Sequence, residues 1–96
     1  MSTFIISPLA LVDLGDIAFY TEARWGRRQR DNYIHDLNDC FGTLAESPGL
    51  GRSRDEIRQG LRSLAYKQHV IFYRLEASDI EIVRILHTAR DVNRHL

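Results

Sequence analysis

The chain has one cysteine, one methionine, one tryptophan, two prolines and a single lysine in 96 residues, and neither sign of charge prevails. The lone Cys40 excludes an internal disulfide, and no Cys/His set stands at metal-ligand spacing, so no metal is expected. A reducing, cytoplasmic setting follows as the expectation. No apolar stretch approaches the roughly 20 residues of a membrane span, and Met1–Ser7 lacks a basic, apolar leader. No membrane role is expected. The net charge of +0, from 13 basic and 13 acidic residues, gives no global attraction to nucleic acid. Sequence-specific nucleic-acid binding by the chain alone is therefore not expected.

What is present is ordinary for a globular protein: 44% hydrophobic and 27% charged residues, enough for one domain over residues 1–96 with a modest core. The charges are unevenly spread. Up to Glu56 acidic residues outnumber arginines, whereas from Ile57 onward Arg58, Arg62, Lys67, Arg74, Arg84 and other basic groups prevail. Arginine almost replaces lysine, and its planar fork suits carboxylates and phosphates.

Thr3–Ile6 is a short run of β-formers and reads as a strand. Ser7-Pro8 supplies a helix N-cap followed by proline at the first helical position. Leu11, Leu14, Ile17, Ala18, Thr21 and Trp25 then recur at spacings of three and four, which predicts a helix with one apolar stripe ending at Gly26. A second helix is predicted from Arg27, with Tyr33, Leu37, Phe41 and Leu44 buried and Ser47-Pro48-Gly49 as its stop. The short link predicts an antiparallel helical hairpin. Ser47–Glu56 reads as a loop. Three strands follow, at Ile57–Tyr66, His69–Leu75 and Ile80–Leu86, with a turn at Ala77-Ser78 between the last two. Thr88–Leu96 reads as a polar tail or a single helical turn. The predicted order is β-α-α-β-β-β, an α+β fold with the helical hairpin on one face of a small, mostly antiparallel sheet. Arg58 and Arg62 are expected to share one strand face, part of the arginine set is expected on an exposed sheet face, and the sheet edges are expected to be open to strand addition.

These residues resemble the ParE branch of the ParE/RelE toxin superfamily, the toxic half of bacterial toxin–antitoxin pairs. The resemblance rests on Ser7-Pro8, Asp13-Leu14, Arg24-Trp25-Gly26, the run from Asp55 to Arg62, His69–Arg74, and Ile82–His87 with Asp91, in order over about ninety residues. One position departs from the pattern: Arg90 precedes Asp91 where many such chains have methionine. The resemblance implies the same β-α-α-β-β-β fold. It also implies a toxin that poisons DNA gyrase by stabilising its cleaved complex with DNA, held inactive by a ParD-like antitoxin whose flexible C-terminal part wraps over it. RelE-like relatives instead cut messenger RNA on the ribosome. A third reading is a degenerate toxin kept as a transcriptional co-repressor with its antitoxin.

For a gyrase poison no catalytic residue or cofactor is expected, and the chemistry belongs to the topoisomerase. Arg58 and Arg62 are then the candidates for antitoxin carboxylates. Arg84, His87, Arg90 and Arg94 are the candidates for target contact. For a ribonuclease, Arg62 and Arg84 would neutralise the scissile phosphate and His87 would move the proton, ahead of His69, Tyr66 and Tyr73. Tyr73 reads as core with a satisfied hydroxyl, Trp25 as hairpin packing, and Cys40 as an inert small residue.

Overall fold

The structure, a computed structural model, describes residues 3–90 and 92–96. Strand β1 (Phe4–Ile6) ends at Ser7, whose hydroxyl accepts the Ala10 amide at 3.0 Å and caps helix α1 (Pro8–Trp25). Proline at the first helical position costs nothing there, because its missing amide has no partner to lose. Gly26, at φ 90°, serves both helices: its amide bonds Glu22 of α1, and its carbonyl accepts Arg30 of α2 (Arg27–Glu46). The positive φ favours glycine at this hinge. A 3-10 turn (Pro48–Leu50) and the two-residue strand β2 (Arg52–Ser53) follow. Strands β3 (Arg62–Tyr66), β4 (His69–Glu76) and β5 (Asp79–His87) form a meander, and helix α3 (Val92–His95) follows it. The sheet order is β1-β5-β4-β3-β2, parallel between β1 and β5 and antiparallel elsewhere. The α+β hairpin-on-sheet architecture is therefore as expected.

The helices pack on one sheet face. Leu37, Phe41 and Leu44 of α2 are fully buried against Ile71, Tyr73, Ile80 and Ile82. The stripe expected on α1 is covered only in part: Ile17 is buried and Leu14 packs against the core, but the two ends of the stripe are open. Ala10, Asp13 and Ile17 face the sheet, while Leu11 is exposed and Trp25 is 63% exposed. Apolar residues occur almost all round this helix, so their spacing alone does not select a face.

Three further expectations are corrected. Ile57–Gly60 is not strand: the Asp55 carboxylate accepts the Gly60 amide at 2.8 Å, Gly60 takes φ 83°, and the resulting turn delays β3 until Arg62. Arg58 therefore lies in a turn and shares no strand face with Arg62. Part of the expected loop is instead β2, whose ladder continues through the Arg54 amide to the Leu61 carbonyl at 2.8 Å. The second sheet face is not an open arginine surface either. Leu61, Phe72 and Leu86 form a smaller core there, covered by Ile57 from the turn and by Val92 and Leu96 from the C-terminal segment. The single helical turn expected in the tail exists, and it contributes burial rather than a free polar extension.

The helical layer is anchored by one buried ion pair. The register between β4 and β5 shifts at Phe72/Tyr73, where Phe72 pairs with Arg84 and Tyr73 with Ile82, so Val83 is extra. Such a bulge re-aims neighbouring side chains. Arg84 turns to α1, where its Nε and Nη2 donate to the two Asp13 oxygens at 2.8 and 2.9 Å, and the Ile85 amide donates to the same carboxylate at 2.9 Å. The Asp13 side chain is 7% exposed. Hydrogen bonding to that carboxylate raises the Arg84 pKa further. Removing one member of a buried pair strands the other charge. Asp13→Ala is expected to lower the unfolding free energy by about 3–5 kcal/mol, measured from urea midpoints. A loss under about 1 kcal/mol would show that the pair behaves like a surface one.

Candidate functional site

The sequence candidates separate once their partners are known. Arg62 donates to the Gly51 carbonyl and, at 3.4 Å, to that of Gly49, stitching β3 to the 3-10 turn. Arg58 is exposed but donates to the Leu96 oxygen at 3.0 Å. Arg84 is spent on Asp13 and on the His95 carbonyl, at 3.0 Å. Arg84 is thus a structural anchor by geometry and does not face solvent as a target contact would. Arg90 and Arg94 are exposed. His87 is exposed at the end of β5, where its Nδ1 accepts the Ala89 amide at 3.1 Å. Arg62, Arg84 and His87 do not converge on one point: Arg62 pairs with Tyr73 two strands away from β5, and both arginines have internal partners.

Tyr73 fulfils its expected part, donating to the Pro48 carbonyl at 2.6 Å and accepting the Gly51 amide at 2.8 Å. A Cβ on Gly51 would stand 2.7 Å from the Ser63 carbonyl, so glycine is required here by close approach. Cys40 is half-buried, and burial pushes its thiol pKa up, away from the reactive thiolate.

What does converge is a set whose members the sequence names separately, His87, His69 and Tyr66 as proton-transfer candidates and Tyr33 as a buried helix residue, without bringing them together. Tyr33 on α2 and His69 at the start of β4 share a hydrogen bond of 2.7 Å between the hydroxyl and Nδ1. Cross-strand pairing sets His87 opposite His69, with ring centroids 5.6 Å apart. Lys67, in the β3–β4 turn with φ 53°, lies over the Tyr33 and Tyr66 rings at 5.6 and 5.5 Å. Two clefts of about 490 Å³ each flank this cluster. The available signal was the turn Tyr66–His69 itself, which puts the only lysine and a histidine beside an aromatic pair.

The surroundings of His69 disfavour its charged form. Burial lowers its pKa below 6.5, aided by His87 and Arg90. Burial also pushes the Tyr33 hydroxyl up to about 12, with a smaller contribution from Tyr66. Tyr33 is therefore protonated, and its hydroxyl and the His69 Nδ1 share one proton position between them, the donor set by the His69 tautomer. The described residues also hold one group of possible metal ligands, His35, Asp36 and Asp39 on α2. His35 faces the two carboxylates at 3.9 and 3.5 Å on an exposed helix surface, an arrangement that local ion pairing explains.

The exposed surface is unusually apolar along α1. Leu9, Val12, Phe19 and Tyr20 face solvent, with Phe19 80% exposed, and Arg24 stacks over Tyr20 and Trp25 near the helix end. Trp25, expected inside the hairpin, belongs to this surface. No helix among the described residues is long and apolar enough to cross a membrane.

The pH dependence of stability follows from His69. Its folded pKa lies below its unfolded value, so between the two the unfolded chain binds more protons and stability rises with pH. The contribution is complete above pH 6.5 and is lost as pH falls through the lowered folded value. Thermal melts from pH 7.5 to 4.5 are expected to show Tm falling below about pH 6.5. His69→Gln should flatten that part of the profile, and an unchanged profile would contradict the assignment.

The comparisons with known proteins agree in direction. The family described as "ParE toxin of type II toxin-antitoxin system, parDE" matches residues 4–92. The chain is 38% identical over 96 residues to "Toxin ParE1" of Caulobacter vibrioides, covering 100% of this chain and 99% of that one. It is also 38% identical to "Toxin ParE1" of Mycobacterium tuberculosis H37Rv, covering 99% and 98%. In fold it matches a chain of the solved structure "Chromosomal ParDE TA system from P. aeruginosa" with TM-score 0.77 and 20% identity, over 91% of this chain and 96% of that one.

Proposed function

The chain belongs to the ParE toxin family of type II toxin–antitoxin systems, and from that premise we propose that it stops bacterial growth by binding DNA gyrase and holding the cleaved gyrase–DNA complex, with no hydrolytic chemistry of its own. The observation that carries this reading is the commitment of Arg62 and Arg84, the two arginines a ribonuclease reading would use. A ribonuclease needs cations free to meet the scissile phosphate beside a proton-transfer group. Arg62 and Arg84 have internal partners instead, and neither is assembled with His87. A poison of another enzyme needs only a binding surface, which His87, Arg90, Arg94 and the α1 face provide.

A ParD-like antitoxin would neutralise the toxin by covering that apolar face. An amphipathic helix in a disordered partner segment folds onto such a surface, with acidic residues meeting Arg24, Arg27 and Arg58. Leu9, Val12 and Phe19 would supply the apolar contacts. Because Phe19 is almost wholly exposed, Phe19→Ala should leave stability unchanged yet weaken antitoxin binding about tenfold or more.

Incubating the purified protein with gyrase and supercoiled plasmid tests the main reading. Linear, protein-linked DNA is expected to accumulate, and prior addition of the antitoxin should prevent it. Position-specific cuts in ribosome-bound messenger, abolished by His87→Ala, together with gyrase that keeps supercoiling, would overturn the assignment in favour of a ribonuclease.

A further inference from the structure

The two clefts adjoin, with Tyr20, Gln68 and His69 lining both, and together they are called the groove below. Each has a volume within the range of small-molecule sites. The first cleft is walled by the rings of Tyr20, Trp25 and Tyr33 and carries three side-chain amides, Gln29, Asn32 and Gln68. The second brings His87 and Arg90 beside His69, while Lys67 stands at the rim of the first.

Protein partners use little of this polar equipment. Among the described residues, the hydrogen bonds made in the groove by its side chains are those of Tyr33 with His69, of His87 with the Ala89 amide, and of Asp13 with Arg84 and the Ile85 amide. Gln29, Asn32 and Gln68 are left to meet solvent or a ligand, and Lys67 has no carboxylate partner among the described residues, its ammonium resting over the Tyr33 and Tyr66 rings. Of the carboxylates present, Asp13 is paired with Arg84, while Asp36 in the first cleft and Asp16 in the second have no arginine or lysine partner among the described residues. Elsewhere the arrangement is the reverse. Arg30, Arg54 and Arg74 each bond a carboxylate of their own.

Flat rings, carboxamides and cations in one groove select for a particular ligand chemistry. An apolar side chain would satisfy the rings and strand the amides. A small anion would satisfy Lys67 and leave without a partner the carboxamides and the ring faces that Arg24 and Lys67 do not cover. A nucleotide uses all three, because a base stacks on aromatic faces, its edge pairs with carboxamides, and its phosphate meets cations and imidazoles. We propose that this groove binds a nucleotide unit, with the base among Tyr20, Trp25 and Tyr33, its edge at Gln29, Asn32 and Gln68, and the phosphate beside Lys67, His69 and His87. This inference is independent of the gyrase reading. A free mononucleotide and one residue of a single strand offer the same chemistry.

Trp25 is the sole tryptophan and lines the groove, so its emission reports occupancy. The full chain should be titrated with adenosine, guanosine, cytidine and thymidine monophosphates, with oligothymidylate, and with inorganic phosphate, at low and high salt. Saturable quenching is expected, accompanied by shifts of the Gln29, Asn32 and Gln68 side-chain amide signals in NMR spectra. Tyr20→Ala and Lys67→Gln, checked for folding by circular dichroism, should each weaken binding at least about tenfold, whereas Arg74→Ala, at the far end of β4, should not. Binding by mononucleotides would assign a free nucleotide as the ligand. Binding confined to the oligonucleotide, with steep salt dependence, would assign a single strand. The proposal is overturned if neither the emission nor the amide signals respond at millimolar nucleotide. It is also overturned if the folded variants bind like the parent protein, or if inorganic phosphate produces the same response as the nucleotides.

Discussion

The ion pair between Asp13 and Arg84 fixes how the helical hairpin sits on the sheet. Strand β1 is three residues long and ends beside Ile82, which leaves the outer edge of β5 uncovered from Val83 onward. An uncovered edge offers backbone groups to any passing strand. Residues that follow β1 take over its role: the Ser7 amide bonds the Ile82 carbonyl at 3.0 Å, the Ser7 hydroxyl donates to that of Val83 at 2.8 Å, and Asp13 accepts the Ile85 amide. The carboxylate thus stands in for a missing strand. Its charge is tolerable in the interior because Arg84, re-aimed by the bulge, meets it with two hydrogen bonds.

The same constraint shapes the surface. Arg84 also holds the His95 carbonyl and Arg58 the Leu96 oxygen, so the C-terminal segment is drawn over the second core. Residues that look like a basic tail in the sequence are divided between holding this cover and facing outward. What is left for partners is the apolar outer face of α1 and the groove at its end around Tyr20, Trp25 and Lys67. These two surfaces, and not a cluster of Arg62, Arg84 and His87, are what the fold presents outward.

Much of the fold is legible in the residues. Tyr33, Leu37, Phe41 and Leu44 alternate with charged residues at helical spacing, so the buried face of α2 is unambiguous. His69–Leu75 is apolar enough to read as a covered strand, and its centre, Ile71–Tyr73, is fully buried while Arg74 and Leu75 are exposed. Helix α1 is harder, because Leu9, Leu11, Val12 and Phe19 obscure the true face. The informative residue there is Asp13, one step from the buried turn of Ala10 and Ile17. A carboxylate on the buried side of an apolar helix and the one arginine in the apolar strand Ile80–Leu86 are each costly unless paired, and pairing Asp13 with Arg84 orients α1. The turn at Asp55–Gly60 depends on a side-chain bond to the Gly60 amide, which no alternation pattern contains. The groove is illegible for a related reason: it joins Trp25, Tyr33 and His69 from three elements, and their approach depends on hairpin packing rather than on any local motif.

Amide hydrogen exchange at Ile85 tests the strand-edge account most directly. The Ile85 amide points away from β4 toward a position where no strand lies, so without Asp13 it would exchange like an open-edge amide. Protection comparable to that of the central β4 amides in the parent protein, lost selectively at Ile85 in Asp13→Ala under conditions where that variant remains folded, is the expected result. Rapid exchange at Ile85 in the parent protein would contradict the assignment of Asp13 as the group that closes the sheet.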